Sequence, residues 1–530
     1  MQKEIDAMKG LVLGWRVTQN LEPRYWLNPE AKPGYQSNDE LIIVPSSRMD
    51  THTIIVAQSG SGKSTFLGRL IEELLLKTKA RCVILDPNAD FRRADRSAPD
   101  DLWNLASYDR TRLCGKLPHE ISRKEFSNKW SSLKIEILTL RRRGRAQRAL
   151  KLWWPSLDAE LLGEDLDPML RTELYHCHSF TRAIGNLLVL RNAGKSPTSG
   201  TNPITEAEDL YRVWKQEEST SSEDEIRPSF KGTLDERYKL KDLLKSYRSL
   251  DEELAKPLGL PWYSDPEWKE FEMTPKEVQE MAENTIRRWL ELASAELRHV
   301  SDSVGRFYFA KASEYSEGGI WARGPTVVSS PDARLKVIDL ASFRHIPTRF
   351  LAVNSVLKQE FDSSRIAWER ALLRKAENDE RVPTFIVLDE AHNFIAAEPR
   401  GRAEAALREQ FRTIAAEGRK YGLFLILVSQ RPDKLDPFII SECENKALMR
   451  LNSESVLHAV QKMLGLEDLS VGIAKKCIQC EMGRVLLVGH WAEEGAQWMY
   501  CGARRTIEGG RSLRPDYWAV PYIDEGLETS

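Results

Sequence analysis

T-I-I-V-A-Q-S-G-S-G-K-S-T, Thr53 to Thr65, reads as a short apolar strand, a glycine-rich turn and the opening of a helix. A polyphosphate needs backbone N–H groups converging on its oxygens, a nearby positive charge and a hydroxyl for Mg²⁺. Gly60 and Gly62, with Ser61 between them, let the chain curl so that its N–H groups point inward. Lys63 then reaches the β- and γ-phosphates, and the Ser64 hydroxyl ligates the metal, with Thr65 completing the helix start. The free N–H groups of that helix add roughly half a positive charge to the same spot. Ala57 stands where a P-loop usually carries its first glycine. Leu67, Leu70, Ile71, Leu74 and Leu75 then recur with helical period and form one apolar stripe. The expected ligands are ATP and Mg²⁺. A Gly/Ser surface turn would explain neither the lysine nor the flanking pattern.

Outward from this stretch, Arg81 to Asp86 is a second buried-type strand, so strand, helix and strand make a βαβ unit and predict a parallel sheet. Ligands in such sheets bind at the carboxyl ends of the strands, which puts Asp86 on the same edge as Lys63. Strands are also expected at 336–340, 384–388, 423–428, 447–451 and 484–488. The strand at 384–388 ends in Asp389 and Glu390. Adjacent carboxylates there have separate jobs: Asp389 holds the Mg²⁺ shell, and Glu390 polarises the attacking water. The strand at 423–428 ends in Ser429 and Gln430, whose amide can sense the γ-phosphate.

The expected fold class is α/β, a P-loop core with a mainly parallel sheet. Residues 1–50 form a short N-terminal β segment, either an appendage or extra strands of the core sheet. The core occupies 51–95 and 331–510, and a large helical insertion fills 96–330, with a helix expected at 277–300. A tail closes the chain at 511–530. From Arg504 onward the chain is expected along a surface or a neighbouring subunit. The insertion carries a basic cluster, Arg141, Arg142, Arg143, Arg145, Arg148 and Lys151. It reads as a solvated helix surface or as a phosphate contact.

The chain has 530 residues, which suggests several domains or one domain with large insertions. Lys+Arg at 77 against Asp+Glu at 79 leaves no global charge bias, so a nucleic-acid surface has to be a local patch. The longest apolar run falls far short of a membrane span, and the first residues lack a signal peptide's apolar segment. A soluble cytoplasmic protein is expected, with no membrane partner. The 7 cysteines are irregularly spaced and do not form a disulfide framework. Cys477 and Cys480 make one C-x-x-C without the second pair a structural zinc usually needs.

D-E-A-H at 389–392 invites comparison with DEAH helicases, whose other elements are missing. The chain instead resembles the HerA-like ATPases, relatives of FtsK-type DNA pumps and conjugative coupling proteins. His52 before the P-loop strand, I-L-D-P-N-A-D-F at 84–91, V-I-D-L at 337–340, L-D-E-A-H-N-F at 388–394, E-G-R-K-Y-G at 417–422, V-S-Q-R-P at 428–432 and Arg450 follow in family order. Asn88 and Ala89 depart from the family pattern. So does Thr51, which stands where a second basic residue is usual, with Arg48 as its substitute.

The resemblance implies a RecA-like core assembled as a homo-hexameric ring with ATP sites between subunits. Arg419 matches the arginine that the family inserts into the neighbour's site; its plain alternative is a helix-end cation. Gln430 matches the γ-phosphate sensor. Double-stranded DNA threads the pore in that family. The loop bearing Arg400 and Arg402 is the candidate contact, with a merely solvated loop as the alternative. The family's N-terminal barrel is shortened or missing. The implied function is an ATP-driven DNA translocase or helicase working beside a nuclease or other effector, in end processing or anti-phage defence. The alternative is an ATP-gated scaffold that regulates a partner enzyme.

Overall fold

The computed structural model describes residues 10–17, 41–98, 122–140, 147–152, 308–309, 329–330, 332–343, 346–373, 381–452, 454–466, 475–478, 480–492 and 495–509. The expected helix at 277–300, most of the insertion, Arg141–Arg145 and the tail at 511–530 lie outside them.

The strands are β1 (Gly10–Arg16), β2 (Leu41–Pro45), β3 (Thr53–Val56), β4 (Arg81–Asp86), β5 (Ile135–Thr139), β6 (Gln147–Ala149), β7 (Lys151–Leu152), β8 (Tyr308–Phe309), β9 (Leu335–Asp339), β10 (Thr384–Leu388), β11 (Leu423–Ser429), β12 (Asn445–Leu448), β13 (Arg484–Val488) and β14 (Ala496–Cys501). The helices are α1 (Lys63–Lys77), α2 (Arg123–Ser132), α3 (Ile346–Leu372), α4 (Arg402–Tyr421), α5 (Pro437–Ser441) and α6 (Glu454–Met463). All strands but β7 and β8, which pair with each other, form one 12-stranded sheet in the order β2-β1-β14-β13-β12-β3-β11-β10-β4-β9-β5-β6. From β12 to β6 every pairing is parallel. From β12 back to β2 every pairing is antiparallel.

The central strands are covered on both faces, which is why they read as unbroken apolar runs. Leu423, Leu425 and Leu427 of β11 face α3 and α4 and pack with Leu357, Leu407, Phe411 and Ile414. Phe424, Ile426 and Val428 face α1 and pack with Leu67, Leu70 and Leu74. This period of two assigns each strand residue to one of two cores.

Two expectations change. Core strands continue past residue 95: β5 pairs with β9 and β6 with β5, so the sheet runs on to residue 149. The stretch around Arg148 is strand rather than helix, and Arg148 Nη1 lies 2.7 Å from Glu136 Oε1 on β5. A short strand ringed by charge loses the apolar run that marks a central one. The N-terminal segment supplies extra strands to the core sheet through β1 and β2.

The residues after β14 make contacts that no local pattern in the sequence signals. Residues 502–509 run along the outer face of α1, with Arg505 and Thr506 buried against it and Glu508 exposed. Glu72 accepts the backbone N–H groups of Arg505 and Thr506 and the Thr506 hydroxyl. Arg505 Nη1 lies 3.0 Å from Glu73 Oε1, and Arg69 donates to the carbonyls of Val12 and Ala503. Arg69, Glu72 and Glu73 are each 1% exposed, so the polar face of α1 is as buried as its apolar stripe.

Candidate active site

Register places the carboxyl ends of the central strands in one row. Val56 pairs with Ser429 and Leu448, Leu388 with Leu427 and Leu85, and Asp86 with Asp339. Strand β11 lies between the P-loop strand β3 and the acid-bearing strand β10. The residues that follow these ends therefore converge: the P-loop from β3, Gln430 from β11, Asp389 and Glu390 from β10, Asn88 from β4.

The P-loop turns on two left-handed glycines, Gly60 at φ 73° and Gly62 at φ 96°, the second capping α1. It is braced from both sides: Gln58 N–H donates to the Arg450 carbonyl and Gly483 N–H to the Ser61 carbonyl. The Arg450 guanidinium stands beside Gly60, 3.6 Å from where a Cβ would be.

Lys63 Nζ lies 2.8 Å from Asp389 Oδ1 and also bonds Glu390 Oε1. Glu390 Oε1 receives Gln430 Nε2 at 2.5 Å and Asn88 Nδ2 at 3.4 Å as well. Glu390 itself is held at φ 48°, a left-handed conformation a glutamate rarely adopts. Its other oxygen, Oε2, is buried without a hydrogen bond, and His392 Nδ1 stands 3.5 Å from it. Burial of Lys63 works against its charge, but Asp389 and Glu390 outweigh that and raise its pKa. Burial likewise opposes ionisation of Glu390, and Lys63 with Gln430 outweighs it and lowers the value. Burial pushes Asp389 upward, and the lysine beside it opposes that lift. A cavity of ≈ 800 Å³ opens next to Glu390, lined by Gln58, Asn88, His392, Gln430 and Arg431 among others.

Ser64 Oγ donates to Asp90 Oδ2 at 2.6 Å. Asp86, fully buried, accepts the N–H groups of Asp90 and Phe91 and so folds the 86–91 turn; burial pushes its pKa up to about 7. Asn88 and Asp90 were not singled out as site residues from the sequence. The available signal was a polar turn, D-P-N-A-D, at the end of a buried strand on the lysine's edge.

Other candidates lie elsewhere. Arg400 and Arg402 are exposed at the start of α4, where Glu404 accepts the Arg400 N–H at 2.7 Å. Arg419 is in the last turn of α4, which runs antiparallel to β11, so it sits at the opposite edge of the sheet from Lys63. The seven residues of β11 make that separation roughly 20 Å. There Arg419 Nη1 pairs with Glu444 Oε1 at 2.5 Å. His52 is at the same far edge and is fully buried. Its Nδ1 accepts the Leu425 N–H and its Nε2 faces the Ala415 carbonyl, which joins β3, β11 and α4. Cys82, Cys443, Cys477, Cys480 and Cys501 are buried free thiols. Among the described residues no helix is long and apolar enough to cross a membrane.

The family described as "Helicase HerA, central domain" matches residues 36–150. The DNA double-strand break repair helicase HerA of Pyrococcus furiosus is 28% identical over 193 residues, 33% of this chain and 33% of its own length. The protein of that name from Saccharolobus solfataricus is 30% identical over 130 residues, 24% of each chain. The chain thus spans about a third or less of the length of these relatives. Among solved structures, the bacterial conjugative coupling protein TrwB aligns over 95% of this chain and 96% of its own, at 12% identity and a TM-score of 0.41. Lys63, Asp389, Glu390 and the Gln430 amide gather on one sheet edge, and residues 36–150, which hold the P-loop, are similar to the HerA central domain.

Proposed function

We propose that the protein is an ATP-hydrolysing DNA translocase or helicase that works as a hexameric ring beside a nuclease or another effector, in DNA end processing or anti-phage defence. The observation that carries this reading is the clamp of Lys63 on Asp389 and Glu390, with Gln430 on the same carboxylate. The lysine lies against the carboxylates that serve metal and water. An incoming triphosphate draws the lysine to its β/γ oxygens and frees Asp389 and Glu390. Glu390 then orients the attacking water, and Gln430 passes from the glutamate to the γ-phosphate.

The donor set fits Mg²⁺: a serine hydroxyl and a carboxylate are hard oxygen ligands, and an unpartnered buried carboxylate oxygen lies close by. Ser64 and Asp389 would hold the ion, directly or through water. When bound it neutralises charge on the phosphate oxygens.

The position of Arg419 supports the ring. A cation a sheet's length from its own Lys63 cannot serve its own site, but it can enter a neighbour's, where such fingers are worth ~10³ to 10⁵ in rate. Arg400 and Arg402, exposed at the head of α4, are the proposed backbone contacts to double-stranded DNA.

The test is ATP turnover of the purified protein with and without duplex DNA, with strand displacement followed in parallel and Lys63→Ala as control. Duplex-stimulated turnover that vanishes in the control is expected. Turnover indifferent to DNA, with a partner enzyme switched by nucleotide, would replace the translocase by an ATP-gated scaffold.

A further inference from the structure

Ser64 has one proton to donate, and its 2.6 Å hydrogen bond goes to Asp90 Oδ2, with the Glu508 carboxylate beside it. A hydroxyl that donates to a carboxylate keeps both lone pairs free, and the bond to an anion makes its oxygen a better cation ligand. Without a carboxylate acceptor, a serine in the first turn of a helix turns its proton to the carbonyl four residues back, here Gly60.

The placement of Asp90 is strongly determined. Its N–H is held by Asp86 Oδ1 at 3.1 Å. Its carbonyl accepts Arg504 Nη2 at 3.1 Å and Gly509 N–H at 2.9 Å. The residue before it, Ala89, is left-handed at φ 64°. Gly509 comes so close that a Cβ there would sit 1.8 Å from the Ala89 carbonyl oxygen. The Arg504 guanidinium lies 4.4 Å above the Phe91 ring and 3.5 Å from the Ser64 carbonyl. The 502–509 strap is thus fastened to both the P-loop helix and the 86–91 turn.

We propose that Asp90 is a positioning residue that sets the Ser64 hydroxyl for the divalent cation of the nucleotide complex, and that the 502–509 strap holds Asp90 in register. This rests on the nucleotide-site reading above. It assigns to Asp90 a share of cation affinity rather than of the hydrolytic step.

The experiment is equilibrium binding of a fluorescent ATP analogue in Mg²⁺ and in EDTA. In the parent, Mg²⁺ tightens binding. Asp90→Asn is expected to bind as the parent does in EDTA and to lose at least about tenfold of the Mg²⁺-dependent gain, as when the partner of a metal ligand is removed. Asp90→Glu, which keeps the charge, recovers part of it. A double-mutant cycle with Ser64→Ala separates this role from a structural one: once Ser64 is gone, Asp90→Asn costs nothing further. An unchanged Mg²⁺ gain in a folded Asp90→Asn, or losses that add in the double variant, overturns the inference. A parent that binds nucleotide in neither buffer overturns the nucleotide site itself, and this inference with it.

Discussion

Replacing His52 with glutamine removes one titration from the joint that carries α4, and its effect can be worked out in advance. The ring is fully buried, and burial pushes its pKa down from 6.5 to about 4. The Ala415 carbonyl raises the value and Glu444 adds to that, while Arg419 lowers it further. A histidine neutral in the folded chain but protonated in the unfolded one contributes stability that is complete above pH 6.5. That stability drains away as pH falls toward 4. A shift of 2.5 units corresponds to about 3.4 kcal/mol in full, of which about 2 kcal/mol is gone by pH 5. Asp86 titrates over the same range with the opposite sign, because its folded value is raised to about 7. It is present in both proteins and cancels in their difference. The assay is urea unfolding of parent and His52→Gln at pH 7.5 and pH 5. The parent is more stable at the higher pH, where the variant lacks a ring that bonds Leu425 and faces Ala415. The gap is expected to narrow by about 2 kcal/mol at the lower pH. A gap that stays constant refutes the neutral buried imidazole.

Three further outcomes test the site and the assembly. Glu390→Gln should still bind ATP but hydrolyse it roughly 10² to 10⁴ times more slowly, the span of a lost general base; near-parent turnover removes Glu390 as water activator. Mixing Arg419→Ala subunits with Glu390→Gln subunits should restore part of the activity at mixed junctions, and inactivity at every ratio would deny a role in trans. Arg400→Ala with Arg402→Ala should weaken duplex binding and flatten its salt dependence by about two units of slope, one per lost phosphate contact; a slope equal to the parent's places the DNA contact elsewhere.

The centre of this fold was readable because its strands are buried on both faces. Val83 to Leu85, Phe385 to Leu388 and Phe424 to Val428 stand out as apolar runs, and each ends in the polar residues that reach the site. Lys63, Asp389, Glu390 and Gln430 therefore came into view from local pattern alone. The edge of the sheet was harder to read. Strand β5 is five residues long and runs into arginines, so its apolar stretch is too brief to outweigh the charge around it. The outer face of α1 was also out of reach. Arg69, Glu72 and Glu73 have the spacing of a solvated helix face, yet their partners come from β1 and from residues more than four hundred positions later. Tertiary pairing at that separation leaves no local trace, and Asp90 was missed for the same reason. Its role shows only when Ser64 and the strap are folded against it.

The threading of 502–509 has a practical consequence for anyone trimming this chain to a minimal nucleotide-binding fragment. The end of β14 looks like a natural place to cut, since the sheet is complete there. A cut at that point would strip Glu72 of the donors named above and deprive Glu73 of Arg505, leaving Glu73 with Val12 and Arg69. Removing one partner of a buried ion pair, as the cut does for Arg505 and Glu73, typically costs about 3–5 kcal/mol. A shortened protein that failed to bind nucleotide would then be reporting an unsupported helix, and the useful fragment extends through Gly509.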